Sequence, residues 1–235
     1  MVIADKLSEE AVSIFKENGI EAVVKIGLGE EELIKELETC DGLVVRSATK
    51  PNKNIIEKSK RLKVIGRAGI GVDNIDLEAA TNNGKVVMNT PFGNSITTAE
   101  HAITLILSTA RQIPFEDKTT HEGKWEKSSI KGVEVTGKTL GVIGCGNIGS
   151  IVANRALGLH FKVIVFDPFL QDERAKDMGV EKVELNDLFK RSDFITLHTP
   201  LTEKTNNIID KDSFKLMKKG IRIVNCARGG LIDEE

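Results

Sequence analysis

The 235-residue chain predicts an α/β fold of two doubly wound parallel-sheet domains. Three observations carry that expectation. Short apolar runs alternate with amphipathic stretches from Val2 to Met88, and the alternation resumes from Thr139 to Asn225. Between the two halves lies one long apolar helical pattern, Ser95 to about Gln112, entered through the turn-forming cluster Asn89-Thr90-Pro91-Phe92-Gly93-Asn94. The expected domains are residues 1–90 and 91–235.

In the first half, Val2 to Ala4 reads as a strand. Ser8 is an N-cap with Glu9 and Glu10 in the first turn of a helix that Asn18-Gly19 ends. Strands follow at Glu21–Ile26, Leu43–Val45, Val64–Ile65 and Val86–Met88. Helices are expected at Glu30–Leu37, Ile55–Lys60 and Asp76–Asn83. Pro114 should end the long helix, and Phe115 to Gly137, with Trp125, reads as an arm. The second half predicts strands at Leu140–Ile143, Val163–Phe166, Val183, Phe194–Leu197 and Ile221–Asn225. Helices there are expected after Gly149 and at Gln171–Met178, Leu185–Lys190 and Lys211–Met217. After Gly230 no strand or cap is expected.

Composition narrows the class. Apolar residues make up 40% of the chain and charged residues 29%, enough for real cores in a soluble protein. A net charge of −2 argues neither for a nucleic-acid surface nor for an acidic tail, and one Trp with no Tyr disfavours a base-stacking platform. No apolar run has the length of a membrane span, and the start is unlike a signal peptide. Cys40, Cys145 and Cys226 have neither disulfide nor metal spacing, which suggests a reduced, cytoplasmic setting with no bound metal.

The chemistry centres on Thr139 to Asp167. An apolar strand ends in Gly144, Gly146 and Gly149, a helix follows, and a second apolar run stops at Asp167. Gly144 suits the tight turn, Gly146 lets backbone approach a pyrophosphate, and Gly149 lets the helix pack closely on the strand. Backbone N–H groups at the helix start, including those at Asn147 and Ile148, face an anion favourably. Asp167, about 20 residues on, accepts from both ribose hydroxyls and repels a 2′-phosphate, so the expected cofactor is NAD rather than NADP. Other polar strand ends are Arg46-Ser47, the Gly69-Ile70-Gly71 turn, His198-Thr199-Pro200 and Cys226-Ala227-Arg228. His101 reads as a helix core or interface residue, and His121 and His160 as surface residues.

Five segments together resemble the NAD-dependent D-2-hydroxyacid dehydrogenases, over the length from about Val2 to the last residue. They are Val44 to Lys50, Gly66 to Asn74, Asn89 to Pro91, Gly144 to Gly149, and Val224-Asn225-Cys226-Ala227-Arg228-Gly229-Gly230. The resemblance implies a flavodoxin-like substrate-binding domain over residues 1–90. It implies a Rossmann NAD-binding domain over 91–235, incomplete at its C-terminal end. Arg228 matches the arginine that holds the substrate carboxylate and polarises the carbonyl, a task suited to its fixed fork. Gly69, Ile70, Gly71 and Val72 match the turn that grips the same carboxylate, with Ile70 also beside the nicotinamide. Arg46 and Ser47 match the loop near a substrate phosphate. Thr199 and Pro200 match the adenosine-side turn, and Cys226 and Ala227 the strand end beside the nicotinamide, with Arg228 next to them also counted among the cofactor-binding residues.

The Arg46–Lys50 loop points to phosphorylated glycerate. The implied reaction is oxidation of 3-phospho-D-glycerate to 3-phosphohydroxypyruvate, the entry to L-serine synthesis, by a homodimer or homotetramer. Rival expectations are a glyoxylate or hydroxypyruvate reductase, or a non-catalytic NAD-binding corepressor. Asn147 stands where the family often has Arg. The family's general acid/base His and its Glu partner lie downstream of the Arg-Gly-Gly segment, so the chain as given is expected to be inactive or nearly so. His198 matches a cofactor-side turn and is not expected to replace them.

Overall fold

The computed structural model describes residues 1–235 and separates them into two compact units, Met1–Asn94 and Ser95–Glu235. The first unit runs β1 (Val2–Ile3), α1 (Glu9–Glu17), β2 (Val23–Val24), α2 (Glu30–Leu37), β3 (Gly42–Val45), α3 (Lys53–Lys58), β4 (Val64–Arg67), α4 (Leu77–Asn82) and β5 (Val86–Asn89). Its five parallel strands lie in the order β2-β1-β3-β4-β5, the flavodoxin-like arrangement. Three of its helices are opened by the short polar side chains that the sequence offers. Ser8 Oγ accepts from Ala11 N–H, Asn52 Oδ1 from Ile55 N–H, and Asp76 Oδ1 from Ala79 N–H. The Asn52 cap starts α3 two residues earlier than apolar spacing alone suggests. Leu33 and Leu37 of α2, Leu43 and Val45 of β3, and Ile55 and Ile56 of α3 share one core.

The expected strand at Glu21–Ile26 shrinks to Val23–Val24. It is an edge strand with β1 as its only neighbour, and β1 itself has two residues. Both valines are exposed.

The second unit runs α5 (Ser95–Arg111), α6 (Ile113–His121), β6 (Thr139–Ile143), α7 (Asn147–Gly158), β7 (Lys162–Phe166), α8 (Asp172–Asp177), β8 (Glu181–Lys182), α9 (Leu185–Arg191), β9 (Phe194–Leu197), α10 (Lys211–Leu216) and β10 (Arg222–Asn225). Its parallel sheet has the order β10-β9-β6-β7-β8, a Rossmann order counted outward from β6. Apolar clusters cover both faces. One joins α5 and α7 to the sheet through Ala99, Ile106, Val152 and Ala156. The other holds Leu188, Phe189, Ile195 and Ile209. This two-sided burial is why the strands read as continuous apolar runs.

Two segments differ from expectation. Pro114 does not introduce an arm: it sits in the first turn of α6, where the missing N–H is no loss. Gln112, at φ 57°, makes the break between α5 and α6. After Gly230 the chain does find partners. Asn207 N–H donates to Gly230 C=O at 2.8 Å, Ile209 N–H to Leu231 C=O at 3.1 Å, and Asp233 N–H to Ile209 C=O at 2.8 Å. Ile209 and Ile232 form a parallel bridge, and Leu231 is fully buried.

Candidate active site

In the second unit the strand order reverses at β6, which lies between β7 and β9, all strands being parallel. The crevice beyond such a reversal is where open α/β sheets bind ligands. The three glycines there have different reasons for lacking a side chain. Gly144 has φ 90°, and a Cβ would lie 2.7 Å from the carbonyl oxygen of His198 at the end of β9. At Gly149 a Cβ would fall 2.0 Å from the Gly144 carbonyl oxygen, so only glycine lets α7 sit this close to the turn. At Gly146 a Cβ would meet nothing within 4 Å, so the protein's own packing does not demand glycine there. The open space leaves room for a pyrophosphate against bare backbone. Gly146 is also the N-cap of α7 and supplies no capping side chain, so the first-turn N–H groups face that space. Asn147 is exposed and Ile148 half-buried on the same turn.

Asp167 follows β7 directly. Its Oδ2 accepts from Cys145 N–H at 2.6 Å and its Oδ1 from Phe169 N–H at 2.8 Å. The carboxylate is therefore fixed against the glycine turn. Each oxygen keeps a further lone pair, which suits it to two ribose hydroxyls. Burial and the Asp167 charge push the Cys145 thiol pKa up, and burial does the same at Cys226, so neither thiol is an activated nucleophile.

At the end of β9, His198 Nε2 lies 2.9 Å from Thr196 Oγ1, and burial lowers its pKa to about 4. The ring is neutral at pH 7 and already partnered. Thr199 is half-buried and Pro200 exposed, and Thr205 Oγ1 donates to the Pro200 carbonyl at 2.6 Å, which folds this turn. At the end of β10, Asn225 shapes the Arg228 loop. Its Oδ1 accepts from Ala227 N–H at 3.0 Å and its Nδ2 donates to Arg228 C=O at 2.8 Å. Arg228 is half-buried, and its Nη1 donates to Ala227 C=O at 2.8 Å.

In the first unit, a cleft of about 530 Å³ is lined by Ser47, Lys50, Asn52, Arg67, Asp73, Asn74, Ile75 and Asp76. The Arg67 guanidinium lies over Gly69, where a Cβ would fall 1.5 Å from Nη1. The turn itself is held from β5. Thr90 N–H donates to Gly69 C=O at 3.0 Å, and Asn89 Nδ2 to Ile70 C=O at 2.7 Å. Gly71 and Val72 complete the turn, both half-buried. Two buried polar atoms on the cleft residues, the donor Arg67 Nε and the acceptor Asn74 Oδ1, have no partner in the protein. Arg46 is exposed and is not among the lining residues; its Nη1 reaches toward Lys6 C=O at 3.4 Å.

Arg67, Asn74 and Asn225 carry no signal of their own in the sequence, because their roles depend on where a strand ends in space. A larger cavity, about 770 Å³, lies elsewhere in the second unit, among Thr139, Lys162, Glu181 and Arg191. Those residues stand at the amino ends of β6, β7 and β8 and at the end of α9, away from the glycine turn. No group of three or more His, Cys, Asp or Glu side chains is placed to hold a metal ion, and no helix is long and apolar enough to cross a membrane.

Residues 103–235 match a family model described as D-isomer specific 2-hydroxyacid dehydrogenase, NAD binding domain. The chain is 49% identical over 234 residues to a D-3-phosphoglycerate dehydrogenase of Archaeoglobus fulgidus, and 50% identical over 236 residues to one of Methanocaldococcus jannaschii. All of this chain is covered, against 44% and 45% of those proteins, so it spans less than half the length of these curated relatives. Among solved structures, the TT0316 protein of Thermus thermophilus superposes with a TM-score of 0.90 at 31% identity, over 99% of this chain and 75% of that one. A D-lactate dehydrogenase of Aquifex aeolicus, complexed with NAD and lactic acid, gives 0.86 at 29% identity over 99% and 71%. With its second unit matching the family's NAD-binding domain, the chain belongs to the D-isomer specific 2-hydroxyacid dehydrogenases.

Proposed function

We propose that the protein acts in the NAD-dependent oxidation of 3-phospho-D-glycerate at C2. The observation that carries this reading is the first-unit cleft, whose lining includes Lys50, Arg67 and the Ser47 hydroxyl alongside the carboxylates Asp73 and Asp76, of which Asp76 is engaged in capping α4. Two cations and a hydroxyl donor suit a phosphate monoester better than the uncharged end of lactate or glycerate. The unpartnered Arg67 Nε adds a donor in the same wall. The naming of the archaeal relatives supports the same substrate.

The residues take these roles. Gly144, Gly146 and Gly149 give the pyrophosphate its backbone cradle, with Asn147 and Ile148 at the start of α7. Asp167 holds the ribose, Thr199 and Pro200 flank the adenosine, and Cys226, Ala227 and Ile70 flank the nicotinamide. Bound NAD supplies the hydride acceptor. Arg228 grips the carboxylate with its fork and polarises the C2 oxygen, helped by the backbone of Gly69 to Val72. The cleft residues Ser47, Lys50 and Arg67, with Arg46 at its approach, hold the phosphate. His198 takes no proton: its ring is neutral, hydrogen-bonded to Thr196 and mostly shielded from water.

The test, on the full-length protein, is NADH formation from 3-phosphoglycerate beside D-glycerate and D-lactate. Preference for the phosphorylated acid by 10-fold or more in kcat/KM is expected, from one to two charge-assisted contacts. Equal rates would favour a reductase of unphosphorylated 2-hydroxy acids. NAD binding without turnover of any of them would favour the corepressor reading.

We further infer a homodimer formed through α5, α6 and the segment that follows. Ile96, Ile113, Phe115 and Trp125 are exposed there, Trp125 at 85%.

A further inference from the structure

At the end of β1, Asp5 is 95% enclosed by protein, with only 5% of its surface exposed. No cation neutralises it. Instead its carboxylate accepts from Arg46 N–H at 2.5 Å, from Thr49 N–H at 3.2 Å and from Thr49 Oγ1 at 2.7 Å. Asn74 approaches the same loop and takes the complementary groups. Its Nδ2 donates to Arg46 C=O at 2.8 Å and to Thr49 C=O at 2.7 Å. Two carbonyl oxygens around one atom require the amide nitrogen there, so the orientation of Asn74 follows from its partners.

The backbone N–H and C=O of both Arg46 and Thr49 are thus all held by two side chains from elsewhere in the chain. Ser47 lies inside the clamped segment, and Lys50 follows it directly. Both line the cleft, and so does Asn74. Asn74 also closes the segment that begins with the Gly69–Val72 turn.

We propose that Asp5 and Asn74 are positioning residues that set the distance between the phosphate-holding loop and the carboxylate-holding turn. This makes the first unit selective for an acid with two anionic ends at one separation. The inference rests on the reading of the Arg46–Lys50 loop and the Gly69–Val72 turn as substrate-holding. A loop pinned only by ordinary turn contacts would drift, and a displacement of about 1 Å in a positioning group costs up to about 10²-fold in rate. Neither residue touches the substrate in this account. Each acts through the backbone that carries Ser47 and Lys50.

The experiment uses the full-length enzyme with near-isosteric changes. Asp5→Asn puts an amide against N–H donors, and Asn74→Asp puts a carboxylate against two carbonyls. Each should raise KM for 3-phosphoglycerate by roughly 10-fold or more, leave the dissociation constant for NAD unchanged, and speed amide hydrogen exchange at Arg46–Thr49. The effect should be non-additive with Lys50→Ala, because both changes remove the same phosphate contact. Thr49→Val, which deletes only the hydroxyl bond to Asp5, should show a smaller rise, and Thr49→Ser should restore the unmutated KM. The last pair keeps the test usable if Asp5→Asn fails to fold.

An unchanged KM, full additivity with Lys50→Ala, or equal losses for phosphorylated and unphosphorylated acids would overturn the proposal. If the unmutated enzyme does not prefer phosphorylated acids, the substrate reading itself has failed. Unchanged exchange at Arg46–Thr49 in the variants would show separately that the pair does not pin the loop.

Discussion

A methyl group added at Gly146 and one added at Gly149 should separate binding from folding. At Gly146 a Cβ meets nothing within 4 Å, and φ −72° is open to alanine. Gly146→Ala is expected to change stability by no more than about 0.5 kcal/mol and to lose NAD binding, because the methyl occupies the pyrophosphate's place. At Gly149 the Cβ would fall 2.0 Å from a backbone oxygen that cannot swing aside. Gly149→Ala should cost about 1–3 kcal/mol or more and lose NAD as well. Urea titrations and calorimetry on the two variants check the contrast; equal stability losses would mean that Gly146 is needed by the fold. Asp167 joins the two tasks, since it anchors the turn at Cys145 and is the residue proposed to hold the ribose. Asp167→Ala should narrow the affinity gap between NAD and NADP and also lower the urea midpoint, from the orphaned Cys145 N–H. His198 gives a pH signature. Burial lowers its folded pKa to about 4 from 6.5. The stability from its neutral ring is fully present above pH 6.5 and is lost as pH falls through about 4, a difference of roughly 3 kcal/mol at most. His198→Gln should flatten the stability profile between pH 4 and 6.5 by about one proton. An unchanged slope would show that the ring titrates normally.

At the scale of elements, what the sequence disclosed depended on how local each signal was. Ser8 and Asp76 cap helices whose partners are three residues away, so the starts of α1 and α4 were legible. The glycine fingerprint, likewise, is a run of neighbours from Gly144 to Gly149. Asp5 was not legible as a site-shaping residue, because the groups it holds lie 41 and 44 residues along the chain. Asn74 and Arg67 were hidden for the same reason; both line the first-unit cleft. Pro114 was read as a stop because proline ends helices more often than the pattern reveals that it opens one. The break at Gln112 has no residue signature, since a left-handed glutamine follows from the packing on either side. Ile113 and Phe115 of α6 are exposed, as is Trp125 in the segment that follows. If these bury against a second copy, light scattering should give a dimer at micromolar concentration. Trp125, the only tryptophan, should then shift its fluorescence to the red on dilution. A monomer with a solvent-type Trp125 spectrum at every concentration would remove this surface from the interface.

For the whole molecule, the proposed substrate roles together make a prediction no single residue can. The first unit supplies Lys50 and Arg67, and the second supplies Arg228 and the glycine turn. If Lys50 and Arg67 hold the phosphate and Arg228 holds the carboxylate, substitutions should sort by the substrate group they lose. Lys50→Ala and Arg67→Ala should each weaken 3-phosphoglycerate by about 1.5–3 kcal/mol and leave D-glycerate nearly unaffected. Arg228→Lys should penalise both acids alike, because a point charge replaces the fork at the carboxylate common to both. It should do so in kcat as well as KM, since Arg228 also polarises the oxygen at which charge changes during hydride transfer. Neither Lys50→Ala nor Arg67→Ala should alter NAD affinity by more than about twofold, whereas Gly146→Ala should alter little else. Steady-state constants for both acids and a direct NAD titration, measured on one set of variants, decide the matter. If Lys50→Ala or Arg67→Ala penalised glycerate as heavily as phosphoglycerate, the cleft would be a carboxylate site. The phosphate would then have to be sought at Arg46, whose exposed guanidinium reaches only Lys6 C=O at 3.4 Å.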